Sequence, residues 1–190
     1  MKNAITVYCG SAAAAPEVFL EAAAAVGRAI ARRGAMLVTG AGHTGLMGAV
    51  VDAALAAGGE ATGVIPQFMV DRGWHHRGMT QLEITPDMHA RKSRMASLAT
   101  GVIALPGGIG TFEELTEIIT WRQLGLYKGN IVILDTEDYY SGLLEQMAEA
   151  TRRGFLPADH SALYAVAHEP EEAVGLALAT GAELHLSPKF

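Results

Sequence analysis

Short apolar runs alternate with helix-length segments from one end of this chain to the other, and that alternation limits the fold more than any other feature. Strands are expected at residues 5–8, 36–39, 61–65, 82–85, 101–105 and 131–134, with a short one near 163–166. Helices are expected over 16–33, where Pro16 opens and Gly34 stops the segment, and over 45–57, 90–99, 111–124, 139–153 and 170–180. The strands show little polar alternation, so both of their faces are buried. The predicted fold is α/β: a Rossmann-like parallel sheet flanked by helices on both faces. No linker, repeat or low-complexity tract divides residues 1–190, which read as one domain. Residues 66–79 lack a clear period and are rich in His, Arg and Gly, as expected of a functional loop or lid.

Bulk properties exclude several function classes. Half of the residues are hydrophobic, but no apolar stretch is long enough for a membrane span. The formal net charge of −6 argues against binding a nucleic-acid polymer, which needs a basic surface. The single cysteine, Cys9, makes no internal disulfide, and no Cys/His cluster has zinc spacing, so the chain reads as cytoplasmic and no metal is expected.

In a parallel sheet, ligands bind at the carboxyl ends of the strands, where the strand order reverses. Two glycine turns follow strands and should lie at that edge. The first, Gly40-Ala41-Gly42-His43-Thr44-Gly45, has the G-x-G-x-x-G spacing that lets a backbone approach an anion. A dinucleotide site also wants an acidic residue at the end of the next strand, and Glu60 stands at its beginning instead, which argues against NAD. Gly42 and Gly45 either contact phosphate or ribose, or only let a helix pack on the sheet; spacing leaves both readings open.

The second turn, Pro106-Gly107-Gly108-Ile109-Gly110-Thr111-Phe112-Glu113-Glu114, lacks the G-K-[ST] of a P-loop. Thr111 and Glu114 fit a T-x-x-E capping box, and on spacing alone Glu114 reads first as a helix cap. Three carboxylates, Glu113, Glu114 and Glu117, nevertheless exceed what capping requires. A third segment, Asp87-Met88-His89-Ala90-Arg91-Lys92-Ser93-Arg94, is locally basic, and charge alone makes it a solvated helix face with Arg91 and Arg94 one turn apart. Arg91 opposite a glutamate also suits a sugar phosphate lying between them.

Together these segments resemble the LOG ("lonely guy") family of cytokinin riboside 5′-monophosphate phosphoribohydrolases, formerly often labelled possible lysine decarboxylases. The family pattern P-G-G-x-G-T-x-x-E is matched in full at 106–114, and M-H-x-R-K at 88–92; the likeness extends over roughly residues 4–150. The resemblance implies catalytic roles for Arg91 and Glu114, and nucleotide binding by Lys92, Gly107, Gly108, Gly110, Thr111, Glu113 and Thr120. It implies a nucleoside 5′-monophosphate substrate, no cofactor, and a homodimer with its sites near the interface. The implied reaction is hydrolysis of the N-glycosidic bond to free base and ribose 5-phosphate. A general AMP nucleosidase and a non-catalytic nucleotide-binding or sensing protein are the alternatives. Lysine decarboxylation is disfavoured, because pyridoxal phosphate needs a Schiff-base lysine and only Lys92 lies near a candidate site. Two departures stand out: Ala41 where relatives commonly carry glycine, and Gly73 where they often carry a substrate-contacting glutamate. Met69, Trp74, Met79, Met88 and Trp121 are candidates to line a pocket for an apolar base substituent, or else are core.

Overall fold

The computed structural model describes residues 3–180. It contains β1 (Ala4–Tyr8), α1 (Glu17–Arg32), β2 (Met36–Thr39), α2 (Gly45–Ala56), β3 (Glu60–Pro66), α3 (Gln67–Asp71), β4 (Gln81–Thr85) and α4 (Met88–Leu98). There follow β5 (Gly101–Ala104), α5 (Ile109–Gln123), β6 (Asn130–Leu134), α6 (Ser141–Arg152), β7 (Ala165–Ala167) and α7 (Pro170–Leu178). The strands form one parallel sheet in the order β4-β3-β2-β1-β5-β6-β7. This is the expected α/β Rossmann-like architecture.

Both faces of the sheet are covered, which explains the unbroken apolar strands. Ile5, Val7, Leu37, Ile103, Val132 and Leu134 point into one core beneath α1, α2 and α7. Ala4, Tyr8, Val38, Val102, Ile131 and Ile133 point into the other, with Met95 of α4 and Leu115 and Ile118 of α5. Thr6 is the polar exception inside β1, and its hydroxyl is satisfied by donating to the Met95 carbonyl at 2.9 Å. Close approach of α1 to α2 requires Gly27, because a Cβ there would stand 2.2 Å from the Val50 carbonyl oxygen.

The segment predicted as a loop at 66–79 is more ordered than its composition suggests. It carries the short helix α3, turns at Gly73 (φ +71°) and pairs with the first glycine turn through an antiparallel bridge between Gly42 and His75. The His76 N–H adds a 2.7 Å bond to the Ala41 carbonyl. These contacts are between residues far apart in sequence, so no local period announces them.

Candidate active site

Strands β1 and β5 are neighbours, and the chain leaves them in opposite directions. β2 to β4 build one half of the sheet, and β6 and β7 the other. The loops after β1, β2 and β5 therefore diverge at the carboxyl edge and open a crevice there. A cavity of about 820 Å³ occupies that position, bordered by Cys9-Gly10-Ser11, by Gly40, Gly42 and His43, and by Pro106-Gly107-Gly108. Both glycine turns lie at this edge, as expected. Arg91, Gly110, Thr111, Glu113 and Glu114 complete the polar side, while Phe19, Met47, Met69, Trp74, Met88 and Tyr139 supply apolar surface.

Arg91 and Glu114 meet inside this crevice. Asp87 caps α4 by accepting the Ala90 N–H at 2.8 Å, which sets where the helix begins and turns Arg91 inward. The Arg91 guanidinium donates from Nη1 to Glu114 Oε1 at 2.8 Å and from Nε to the Val64 carbonyl at 3.1 Å. Only 5% of Arg91 and 8% of Glu114 is exposed. The guanidinium lies against Gly40, where a Cβ would stand 1.7 Å from Nη2. Gly40 is thus the seat of the arginine as well as a turn residue. Burial pushes the Glu114 carboxyl above the ordinary glutamate range, and the adjacent Arg91 charge only partly offsets this. The positive end of the α5 dipole favours an ionised carboxylate, but burial outweighs it.

The start of α5 differs from the expected capping box. The helix begins at Ile109 with Gly108 as its N-cap, and no side chain caps it. Thr111 is the third helical residue, not the cap, and its Oγ1 stands against Gly107, where a Cβ would come within 2.2 Å. Gly108 takes the N-cap place in an extended conformation, so the helix starts three residues earlier than the capping pattern suggests. The first intrahelical bond runs from Phe112 N–H to the Gly108 carbonyl at 3.1 Å, leaving the N–H groups of Ile109, Gly110 and Thr111 without intrahelical acceptors. Glu114 is correspondingly free to reach Arg91.

The basic segment is not a solvated face. Arg91 and Lys92 are buried, while Arg94 alone points out and pairs with Glu83 at 2.6 Å. Nor is there a gap for a sugar phosphate between Arg91 and Glu114, which touch directly. Lys92 binds the Glu113 carboxylate and, at 3.1 Å, that of Glu117. Burial pulls the Lys92 ammonium downward, but its hydrogen bonds to Glu113 and Glu117 prevail and hold it above the usual lysine range. Engaged by two carboxylates, it is poorly placed to form a Schiff base.

Of the remaining expected binding residues, Gly42, Gly107, Gly108, Gly110, Thr111 and Glu113 border the cavity, and Gly45, Lys92 and Thr120 do not. Gly45 (φ +59°) packs the β2–α2 turn against the Ala12 carbonyl. Thr120 lies further along α5, its hydroxyl bonded to the Thr116 carbonyl at 2.8 Å. Met69, Trp74 and Met88 line the cavity, whereas Met79 and Trp121 pack against the two cores. Trp74 is held by His43, whose Nδ1 lies 3.0 Å from its carbonyl, and by Arg72, stacked 4.9 Å from its ring centroid. Phe19 and Tyr139 also border the cavity and belong to none of the motifs that point to catalysis or binding. Among the described residues, Asp135, Asp138 and His168 bring ligand-type atoms within 4.8 Å of one another, but they stand outside this cavity. No described helix is long and apolar enough to cross a membrane.

The family model described as "Possible lysine decarboxylase" matches residues 47–176. The chain is 42% identical over 161 residues to the cytokinin riboside 5′-monophosphate phosphoribohydrolase of Rhodococcoides fascians, covering 84% of this chain and 81% of that protein. It is also 42% identical over 152 residues to the enzyme of that name from Mycobacterium marinum, covering 80% and 81% respectively. A solved structure of a molybdenum cofactor binding protein from Rippkaea orientalis superposes with a TM-score of 0.71 at 22% identity, over 93% of this chain and 95% of that one. That likeness establishes the fold alone. The chain belongs to the LOG phosphoribohydrolase family, the one whose model carries the description "Possible lysine decarboxylase".

Proposed function

We propose that this protein is a phosphoribohydrolase that cleaves the N-glycosidic bond of cytokinin-type adenosine 5′-monophosphates, releasing the free base and ribose 5-phosphate. The observation that carries this reading is the buried Arg91–Glu114 pair, 2.8 Å apart, opening onto a cavity between two glycine turns. A purely nucleotide-binding protein has no use for a buried carboxylate beside such a crevice.

In the reaction, the bond from C1′ to the base nitrogen breaks, water oxygen bonds to C1′, and a water-derived proton ends on the base. The sugar passes through an oxocarbenium-like state, which a nearby carboxylate stabilises. We assign that role, and the orientation of the attacking water, to Glu114. Arg91 holds the carboxylate in place and balances its charge in a site largely shielded from water. The free N–H groups at the start of α5 and the positive end of its dipole suit the 5′-phosphate. Gly42, Gly107, Gly108, Gly110, Thr111 and Glu113 would surround the nucleotide directly, while Lys92 would act by holding Glu113. Gly45 and Thr120 enter this reading only at second hand, Gly45 through the turn that carries Gly42.

Met69, Trp74 and Met88 favour a base bearing an apolar substituent over plain adenine. The working protein is read as a cytoplasmic homodimer, with Thr120 and the outer face of α5 near the interface. The test is a product assay across AMP, isopentenyladenosine monophosphate and other purine and pyrimidine monophosphates. Release of base from isopentenyladenosine monophosphate at higher kcat/KM than from AMP is expected. Equal rates on both would make it a general AMP nucleosidase.

A further inference from the structure

Three consecutive carbonyls of the second glycine turn are each held from another part of the chain. The Tyr140 hydroxyl donates to the Leu105 carbonyl at 2.6 Å. The Gly10 N–H donates to the Pro106 carbonyl at 3.0 Å. The Tyr139 hydroxyl donates to the Gly107 carbonyl. Two neighbouring tyrosines thus grip the turn on either side of Pro106, and both come from the loop between β6 and α6.

That loop is shaped to deliver them. Glu137 and Asp138 both have positive φ (+53° and +52°), a conformation residues with side chains adopt at a cost. The Asp135 carboxylate then accepts the Tyr140 N–H at 2.7 Å. The Tyr139 ring is fixed by neighbours on three sides: Phe19 at 5.8 Å, Phe112 at 6.4 Å and Tyr140 at 5.2 Å between ring centroids. Tyr140 is buried, whereas Tyr139 is 39% exposed and borders the cavity.

The two hydroxyls do different things. In a planar trans peptide, the carbonyl and the following N–H point in opposite directions. Holding the Leu105 carbonyl aims no N–H, because the next residue is Pro106. Holding the Gly107 carbonyl fixes the N–H of Gly108, the N-cap of α5, in the direction away from Tyr139. Gly108 has open space where a Cβ would stand, so no packing on that side holds it.

We propose that Tyr139 is a positioning residue for phosphate recognition: by holding the Gly107 carbonyl, it aims the Gly108 amide at the 5′-phosphate of the nucleotide. The inference rests on the function proposed above, and it adds a residue that lies outside both sequence motifs.

The test compares wild type, Tyr139→Phe and Tyr140→Phe by titration calorimetry with ribose 5-phosphate and with adenine, alongside AMP kinetics. Tyr139→Phe keeps the ring cluster and should bind ribose 5-phosphate about five- to tenfold more weakly, the scale of one hydrogen bond. Its adenine affinity should be unchanged, and its KM for AMP should rise while kcat stays within about twofold of wild type. Tyr140→Phe should lose thermal stability and keep the wild-type ratio of the two affinities. Unchanged ribose 5-phosphate binding in Tyr139→Phe overturns the inference, as does an equal loss in both variants. Wild-type protein that binds ribose 5-phosphate but hydrolyses no nucleoside monophosphate contradicts the proposed reaction instead. Wild-type protein that hydrolyses AMP but binds no ribose 5-phosphate overturns the inference and leaves the proposed reaction standing.

Discussion

Arg91 Nη1 and Glu114 Oε1 stand 2.8 Å apart, with the arginine seated where a side chain on Gly40 would otherwise be. The two residues come from α4 and α5, on opposite sides of β5 in the chain, and a third element, the turn after β2, supplies the space for their contact. This arrangement ties the glycine turn at 40–45 to the two family motifs. Its first glycine makes room for the arginine of one motif to meet the glutamate of the other.

Gly40→Ala tests that link. A Cβ at this position would lie 1.7 Å from Arg91 Nη2, so the guanidinium must move or the turn must shift. The variant is expected to fold, because the obstructing atoms are the far end of a side chain, yet to lose at least tenfold in kcat. Wild-type kinetics would show that the position of the guanidinium is immaterial.

Arg91→Ala removes one member of a buried ion pair and leaves Glu114 beside an uncompensated cavity. Breaking such a pair costs about 3–5 kcal/mol of stability. Urea unfolding should report a loss of that order at neutral pH, together with loss of turnover. Part of the stability should return under acid conditions, where the isolated carboxylate takes up a proton.

The pH dependence follows from the raised Glu114 carboxyl. The folded protein holds this proton more tightly than the unfolded chain, so ionising Glu114 costs stability as pH rises from the ordinary glutamate value of about 4.3 through the raised folded value. If the ionised form is the catalyst, the acid limb of kcat/KM lies above that ordinary value. Carbon-detected NMR of the Glu114 carboxyl should place its midpoint there. A conservative Arg91→Met variant should move the midpoint higher, since the lowering influence of the guanidinium is gone; a downward move would contradict the assigned balance of burial and charge.

Lys92→Met tests the neighbouring group. The ammonium is held above its usual range by Glu113 and Glu117, so its contribution is fully present below about pH 10.4 and is lost as pH rises through the folded value. The variant should be less stable than wild type at neutral pH, with the gap narrowing in strong alkali. It should also weaken nucleotide binding through release of Glu113, and it should move the Glu114 titration upward, since the Lys92 charge helps to lower it. A stability gap that widens with alkali would reverse the expected sign.

The fold was legible because the strands run apolar on both faces and the helices stop at glycines, so Ile5, Val7, Leu37 and Ile103 announce the sheet without tertiary information. The Arg91–Glu114 pair was legible only through motif resemblance. By spacing, Glu114 reads as a cap and Arg91 as part of a solvated basic face, and both local readings fail for tertiary reasons. Gly108 caps α5 without a side chain, and the Asp87 cap turns Arg91 towards the sheet. Tyr139, Phe19 and the contact between Gly42 and His75 have no sequence signal, because each depends on segments joined only by folding.

The most direct test is release of free base from isopentenyladenosine monophosphate by wild type and Glu114→Gln, followed by chromatography under conditions where both proteins are shown to bind the nucleotide. Removing one charged stabilising group should lower kcat by about 10²–10³ with nucleotide affinity little changed. Stoichiometric appearance of base and ribose 5-phosphate from wild type, and their near absence from the variant, is the predicted result. Equal turnover by the two proteins, or none by wild type, would contradict the account.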